Sequence, residues 1–312
     1  MPSLKTIRNA IRTGQYSYII PHLYYHKMRD IQIGRTPPIL TEKRWNKGVL
    51  EVHFLTGSRH LVDFLYAAKS LLVNYNGRTS INVHADSSIT AGGLARIKKH
   101  FPNAYVTTRE MRDAIVVPIL QRQNLKKCLS FREANVFATK LIDLVLISEA
   151  DRFFYMDTDC LIFKPLERLR AFAEHVQPKS VGSRDCACSY CLAPAEIEKH
   201  WGLQVSEKIN AGFYAVVRSA LDLDLVETWL STPGFNMKSH FAEQTILAAL
   251  LTYDRCDFFS DNECDVGRRL GERNAQCVHY CGHYLSPIRI AMRQIGQQIA
   301  LRQVQAMEIL NR

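Results

Sequence analysis

Between residues 49 and 156 the chain switches repeatedly between two hydrophobic periods, and this alternation narrows its fold more than any other feature. VLEVHFLTG (49–57) is an apolar run closed by a glycine turn, as a buried strand would be. LVDFLYAAKSLLVNY (61–75) has helical apolar spacing, and TSINVHAD (79–86) alternates like a strand and stops at an aspartate. GGLARIKKHF (92–101) reads as a short helix and NAYVTT (103–108) as another strand. EANVFATKLIDLVLISEA (133–150) predicts one long, largely apolar helix that feeds the strand RFFYMDTDCLIF (152–163). Strands that alternate with helices imply an α/β domain with a mostly parallel central sheet and helices on both faces. Ligands of such sheets bind beyond the carboxyl ends of the strands. Thr56, Gly57, Asp86, Asp157 and Asp159 all close strands in this reading, so they should meet along one edge.

Past the aspartates the alternation loosens. ERLRAFAEH (167–175) is a helix, SVGSRDCACSYC (180–191) a strand leaving into a loop, and KINAGFYAVVRS (208–219) a strand. LDLVETWL (223–230) and FAEQTILAALLTY (241–253) are helices, AQCVHYCGHY (275–284) is a late strand or loop, and residues 287–310 form a final helix, basic in its first part.

RFFYMDTDCLIF raises a question of charge. In a strand, side chains at i and i+2 point the same way, so Asp157 and Asp159 would be like charges side by side in an apolar setting. Such a pair is costly unless a positive group answers it. A hard divalent cation, Mn²⁺ or Mg²⁺, would do so and could hold a phosphate on its open positions. A pair hydrogen-bonded to neighbouring loops is the alternative. The same spacing at Asp222 and Asp224 opens a helix, where carboxylates suit the exposed amides, and is structural. His279, in VHYCG, can complete a cation site begun by two carboxylates, since Mn²⁺ accepts nitrogen and oxygen ligands.

Charge is distributed unevenly. The net charge is +10, with nine Lys/Arg against two Asp/Glu over residues 1–48, seven against two over 268–312, and 24 against 26 between them. Basic ends suit an anionic membrane surface or a phosphate-rich acceptor. Nucleic acid is not implied, because basic residues are not interleaved with aromatics through the core. Residues 3–14 read as a capped amphipathic helix with a basic face, able to lie on lipid or to dock on its own domain. No run of 18 apolar residues occurs, no secretory h-region opens the chain, and the nine cysteines are an odd number. A cytoplasmic protein with reduced thiols is expected, with peripheral contact on the inner membrane face as an option. Three parts follow: a basic N-terminal extension (1–48), a central domain (49–285) and a basic C-terminal helix (286–312).

In their order, RFFYMDTDCLIF, INAGFYAVVRS, FAEQTIL and VHYCG resemble the retaining glycosyltransferases of family 8, the glycogenin and bacterial lipopolysaccharide galactosyltransferase group. The likeness takes in AAKS (67–70), the Asp86 turn and FATKL (137–141), and so covers roughly residues 50–285. It implies the GT-A fold, a nucleotide-diphosphate sugar donor with a UDP-sugar favoured, a glycan or glycolipid acceptor, and Mn²⁺ (or Mg²⁺). By the same resemblance Asp157, Asp159 and His279 would ligate the metal, and Lys140 would lie near the donor phosphates or sugar. Asn210, Ala211 and Gly212 would line the sugar pocket, Glu243-Gln244 would match an acidic-Gln pair under the anomeric carbon, and Thr56, Gly57 and Asp86 would flank the nucleoside. Thr158 and Gly282 belong to the same donor-binding set, and Gln244, Glu243 and Asn210 would be the catalytic group. Two departures stand out. The family's His-x-x-Gly-x-x-Lys has Leu285 in place of the lysine, with Arg289 or His283 as substitutes, and the first-strand turn is LTGSRH rather than acidic and aromatic.

Cys186, Cys188 and Cys191, in DCACSYC, are loop thiols or part of a zinc site. A non-catalytic sugar-nucleotide-binding protein and a nucleotidyltransferase are the competing functions. The second needs a glycine-rich basic phosphate loop after the first strand, of which LTGSRH is a poor version.

Overall fold

The computed structural model describes residues 25, 27–43, 45–175, 178–205, 208–267, 275–282 and 286–310. The amphipathic segment 3–14, Leu285 and His283 lie outside them.

A seven-stranded sheet forms the centre. Its strands are β1 (Val49–Thr56), β2 (Arg78–Ala85), β3 (Tyr105–Thr107), β4 (Arg152–Met156), β6 (Val181–Arg184), β7 (Ile209–Val217) and β8 (Asp257–Phe258), in the spatial order β3-β2-β1-β4-β7-β6-β8. β1, β2, β3 and β4 run parallel, β7 is antiparallel to both neighbours, and β8 is parallel to β6. A second sheet, unannounced by the hydrophobic pattern, has β5 (Cys160–Ile162), β10 (Cys277–His279) and β9 (Cys264–Val266) in that order.

Both faces of the large sheet are covered, and this explains the greasy strands. Along β4, Phe154 and Met156 pack into one core with the Leu61–Asn74 helix, while Phe153 and Tyr155 enter a second core with the Arg109–Arg122 and Ala242–Tyr253 helices. A strand buried on both sides has no polar face to alternate with. Helix starts obey local chemistry. Thr90 accepts from the Gly93 amide, and Asp222 accepts from the amides of Asp224 and Leu225, so the second D-x-D is a helix cap.

Two expectations are corrected. Residues 133–150 are not one helix: the Lys126–Ala134 helix ends before Asn135, a 3₁₀ turn spans Val136–Lys140, and a short helix covers Ile142–Ile147. Asn135 redirects the chain, its Oδ1 accepting from the Phe137 amide and its Nδ2 donating to the carbonyls of Met237 and Ser239. Nor is 152–163 one strand. The chain leaves the large sheet at Met156, turns through Asp157–Asp159, and enters the small sheet at Cys160. Both sheets take their hydrogen bonds from this one segment, so the carboxylates fall on the turn between them rather than on one strand face.

One helix from each basic end is docked on the Leu61–Asn74 helix. Asp63, fully buried, accepts from Arg29 in the 27–34 helix and from Gln297 Nε2 at 2.8 Å in the Gln297–Leu310 helix, with Arg293 4.0 Å away. Burial alone would raise the Asp63 pKa, yet Arg29 and Arg293 outweigh it and hold the carboxyl well below its usual range. Some of the terminal positive charge is therefore spent inside the protein. Among the described residues no helix is long and apolar enough to cross a membrane.

Candidate functional site

Because β1, β2 and β4 are parallel, their C-terminal ends share one edge, where Thr56, Asp86 and Asp157 stand. The small sheet supplies the missing partner. β10 pairs antiparallel with β5, setting His279 opposite Cys160 and hence beside Asp159. His279 Nε2 lies 3.2 Å from Asp159 Oδ1. On the other ring nitrogen, Nδ1 is 2.9 Å from Asn210 Oδ1. An amide oxygen can only accept, so Nδ1 carries a proton and Nε2 is the nitrogen left to bind a cation when the ring is neutral.

Gly212 of β7 sits between the metal-ligand candidates. A Cβ there would lie 2.3 Å from His279 Cε1, 2.9 Å from His279 Nε2 and 2.6 Å from Asp157 Oδ2. Its amide donates to Asn210 Oδ1 at 2.8 Å, and its carbonyl accepts from the Asp157 amide at 2.7 Å. The β6–β7 register slips between Val181 and Ser183 beside this point, as irregular pairing often does near functional sites. Asp159 and His279 offer ligand atoms within 4.8 Å of each other, and Asp157, outside that group, stands across Gly212; two carboxylates and an imidazole are a donor set that suits a hard divalent cation. Cys160 adds a sulfur near Asp159 and His279, but its thiol is pushed by burial up to about 12 and donates to the Gly212 carbonyl at 3.5 Å, which makes it a packing residue.

Each aspartate already has a resident cation. Lys140 Nζ, on the 3₁₀ turn, is 3.1 Å from Asp157 Oδ1 and 3.2 Å from the Ala211 carbonyl, over the Tyr155 ring at 4.8 Å. Tyr155 donates to Asp157 Oδ1 at 2.6 Å. Burial opposes the charge on Lys140, but Asp157 and Glu243 outweigh it and raise its pKa. Arg289 lies 2.7 Å from Asp159 Oδ2 and donates to the Gly282 carbonyl at 3.3 Å. Gly282 has φ +139, a region that favours glycine. Burial opposes the charge of Asp159, while Arg289 and His279 overcome it and lower its pKa; His279 is in turn raised, burial notwithstanding, by Asp159.

Behind the cation ligands lies Glu243, 3.9 Å from Lys140 and buried. Its Oε1 has no hydrogen-bond partner. Burial pushes its pKa up to about 8, Lys140 notwithstanding, so at neutral pH the acid is largely protonated. This predicts a pH signature. A folded value above the unfolded 4.5 means stability is fully present below pH 4.5 and is lost as pH rises toward 8, by up to about 1.4 kcal/mol per pH unit. In metal-free buffer, Glu243→Gln should flatten this decline in urea midpoints between pH 5 and 8, and an unchanged pH profile would refute the assignment.

The structure also brings in Asp185, which the sequence reading passed over. Its Oδ2 accepts from Asn210 Nδ2 at 3.0 Å and from Gln244 Nε2 at 3.1 Å. Asn210, which the family resemblance put at the sugar pocket, contacts His279 Nδ1 and the Gly212 amide in this arrangement. The signal for Asp185 was an aspartate ending a strand beside the NAG strand, masked by the cysteines that follow. At the far end, Asp86 packs its carboxylate over Gly57, where a Cβ would lie 2.1 Å from Oδ2. Thr158 is buried without a role the geometry defines.

No protein-family model and no curated protein matches the sequence. Solved structures do resemble it. The bifunctional glycosyltransferase WbbM aligns with TM-score 0.53 at 10% identity over 87% of this chain, which spans about half of it, 53%. Mouse xyloside xylosyltransferase 1 aligns with TM-score 0.50 at 11% identity, over 74% of this chain and 97% of that one. The glycosyltransferase GlyE of Streptococcus pneumoniae TIGR4 aligns with TM-score 0.50 at 12% identity, over 84% and 64%. The chain therefore has the GT-A fold of glycosyltransferases, with a large, mostly parallel central sheet flanked by helices.

Proposed function

We propose that this protein is a metal-dependent glycosyltransferase that moves a sugar from a nucleotide-diphosphate sugar, a UDP-sugar most readily, to a glycan or glycolipid acceptor with retained anomeric configuration. The observation that carries the reading is His279 Nε2 beside Asp159, with the imidazole and Asp157 both packed against Gly212, at the ligand-binding edge of a glycosyltransferase fold. Mn²⁺ or Mg²⁺, when bound, supplies a Lewis acid that stabilises the leaving diphosphate. Asp157, Asp159 and His279 Nε2 would hold it, and Asn210, on Nδ1, keeps the imidazole in the tautomer that leaves Nε2 for the cation. Binding there requires Arg289 and Lys140 to share or give up their carboxylates. Both are then free to neutralise phosphate charge, Arg289 taking the part of the lysine that Leu285 replaces. Glu243, protonated, can both donate to and accept from a sugar hydroxyl with its unpartnered oxygen. Gln244, oriented by Asp185, lies beside it, and Asp86 with Thr56 flanks the nucleoside.

The nucleotidyltransferase reading is weaker. In the 57–60 turn the Ser58 amide donates to Ser88 Oγ at 3.0 Å and the His60 amide to the Gly57 carbonyl at 3.0 Å, so these amides do not form an open phosphate cradle. Among the described residues of the basic ends, Arg29, Arg289 and Arg293 face inward, and the 3–14 segment that could meet lipid lies outside those residues.

A panel of UDP-, GDP- and ADP-sugars with Mn²⁺ tests the reading through donor hydrolysis. One donor should turn over, and Asp157→Asn and Asp159→Asn should each lower the rate by about 100-fold or more. Failure of every donor to bind or react, or variants as active as the parent, would remove the catalytic reading and leave a non-catalytic protein.

A further inference from the structure

Of the two readings of the cysteine-rich loop after β6, loop thiols or part of a zinc site, the geometry among the described residues groups only Cys186 of the three cysteines with other metal-capable side chains. The Cys191 amide donates to Thr245 Oγ1 at 2.8 Å, against the Ala242–Tyr253 helix. Cys186 instead meets Cys281, which follows β10 two residues after His279. One ligand atom from each of Asp185, Cys186 and Cys281 lies within 4.8 Å of the other two. Gly267, at the end of β9, makes room for the sulfurs: a Cβ there would be 2.9 Å from Cys281 Sγ and 3.7 Å from Cys186 Sγ. With φ +62, its backbone disfavours a side chain independently of that contact.

We propose that Asp185, Cys186 and Cys281 form a second cation site, for a soft divalent ion of the Zn²⁺ class. Two thiolates and a carboxylate oxygen make a three-ligand set whose fourth, tetrahedral position is open to water. Thiolate ligands select against Mg²⁺ and Mn²⁺, which favour the oxygen and imidazole set at Asp157, Asp159 and His279. The balance is simple: one M²⁺ binds, two S–H bonds break, two metal–sulfur bonds form, and two protons leave to solvent. Cys186 is exposed and Cys281 half-buried, so the ion has a route in. Occupancy reaches the first site through Asp185, whose Oδ2 holds both Asn210 and Gln244. It also ties the loop after β6 to the loop after β10. The site stands on its own geometry and does not require glycosyl transfer.

Reduced, chelator-stripped protein titrated with Co²⁺ tests it, because thiolate-to-cobalt charge transfer in the near ultraviolet reports sulfur ligation alone. One equivalent of Co²⁺ should develop the band, and Zn²⁺ should bleach it. Cys186→Ser and Cys281→Ser should each weaken Co²⁺ binding by more than the ~10-fold that loss of even an outer partner costs. Cys188→Ser and Asp159→Asn should keep the band. No band in the parent protein, or a band that survives the Cys186→Ser/Cys281→Ser double substitution, overturns the site. A band lost with Cys188→Ser or with Asp159→Asn places the sulfur ligation elsewhere and overturns it equally.

Discussion

Gly212→Ala is expected to abolish tight Mn²⁺ binding at Asp157, Asp159 and His279 while leaving a cooperatively folded protein. The added methyl would stand 2.3 Å from His279 Cε1 and 2.6 Å from Asp157 Oδ2, well inside contact distance. The backbone cannot retreat, since its amide is held by Asn210 and its carbonyl by the Asp157 amide. Nor can the imidazole, which is buried between Asn210 and Asp159. Asp157, about a quarter exposed at 26%, is the group that can swing away, and doing so takes it out of the ligand set. Overpacking of this kind costs about 1–3 kcal/mol of stability. Mn²⁺ affinity should fall by about 100-fold or more, equal to roughly 2.7 kcal/mol. Calorimetric titration with Mn²⁺, beside near-ultraviolet dichroism to confirm packing, reads both. A well-packed Gly212→Ala protein that binds Mn²⁺ as tightly as the parent would sink the proposed ligand geometry.

Asp143→Ala is expected to cause the largest loss of stability, about 3–5 kcal/mol, because it strips the buried Arg112 of its carboxylate and leaves the buried Arg132 only the part-exposed Asp113. Asp143 is fully buried; its Oδ2 accepts from Arg112 Nε at 3.0 Å and its Oδ1 from Arg132 Nε at 2.6 Å. Arg112 also donates to the carbonyls of Ala85 and Thr107 at 3.0 and 2.9 Å, which end β2 and β3. The ion network therefore secures the strand ends next to Asp86. Urea unfolding should show a lower midpoint with an unchanged slope. A loss below about 1 kcal/mol would mean the arginines find other partners or water, as in an ordinary surface pair. Replacing Arg112, Arg132 and Asp143 together by apolar residues of similar volume should recover much of the loss, since removing both signs leaves no stranded charge.

The α/β class was legible because a sheet covered on both faces needs long apolar strands between helical segments, and 49–156 has them. The cap at Asp222 was legible for the same local reason: a helix start needs an acceptor for its free amides. Asp157, Asp159 and His279 could be named from chemistry and order, and Lys140, which the structure sets on Asp157, only through the family resemblance. Hydrophobic period could not disclose that Asp157–Asp159 is a turn between two sheets, because β4 and β5 are both buried and read as one run. The break of 133–150 at Asn135 was hidden in the same way, its cause being carbonyls about a hundred residues away.

What the amino-acid order determined by itself was the set of chemical groups and the parallel frame that carries them. Tertiary structure alone decided how they are shared. It set Arg289 on Asp159, turned Asn210 toward the imidazole, made Asp185 the hinge between Asn210 and Gln244, and paired Cys186 with Cys281 rather than with its near neighbours. Each of these is a contact between strand ends or loops far apart in the chain. Local propensity acts over a few residues, whereas such partners are chosen by sheet register and by the need to leave no buried charge unanswered.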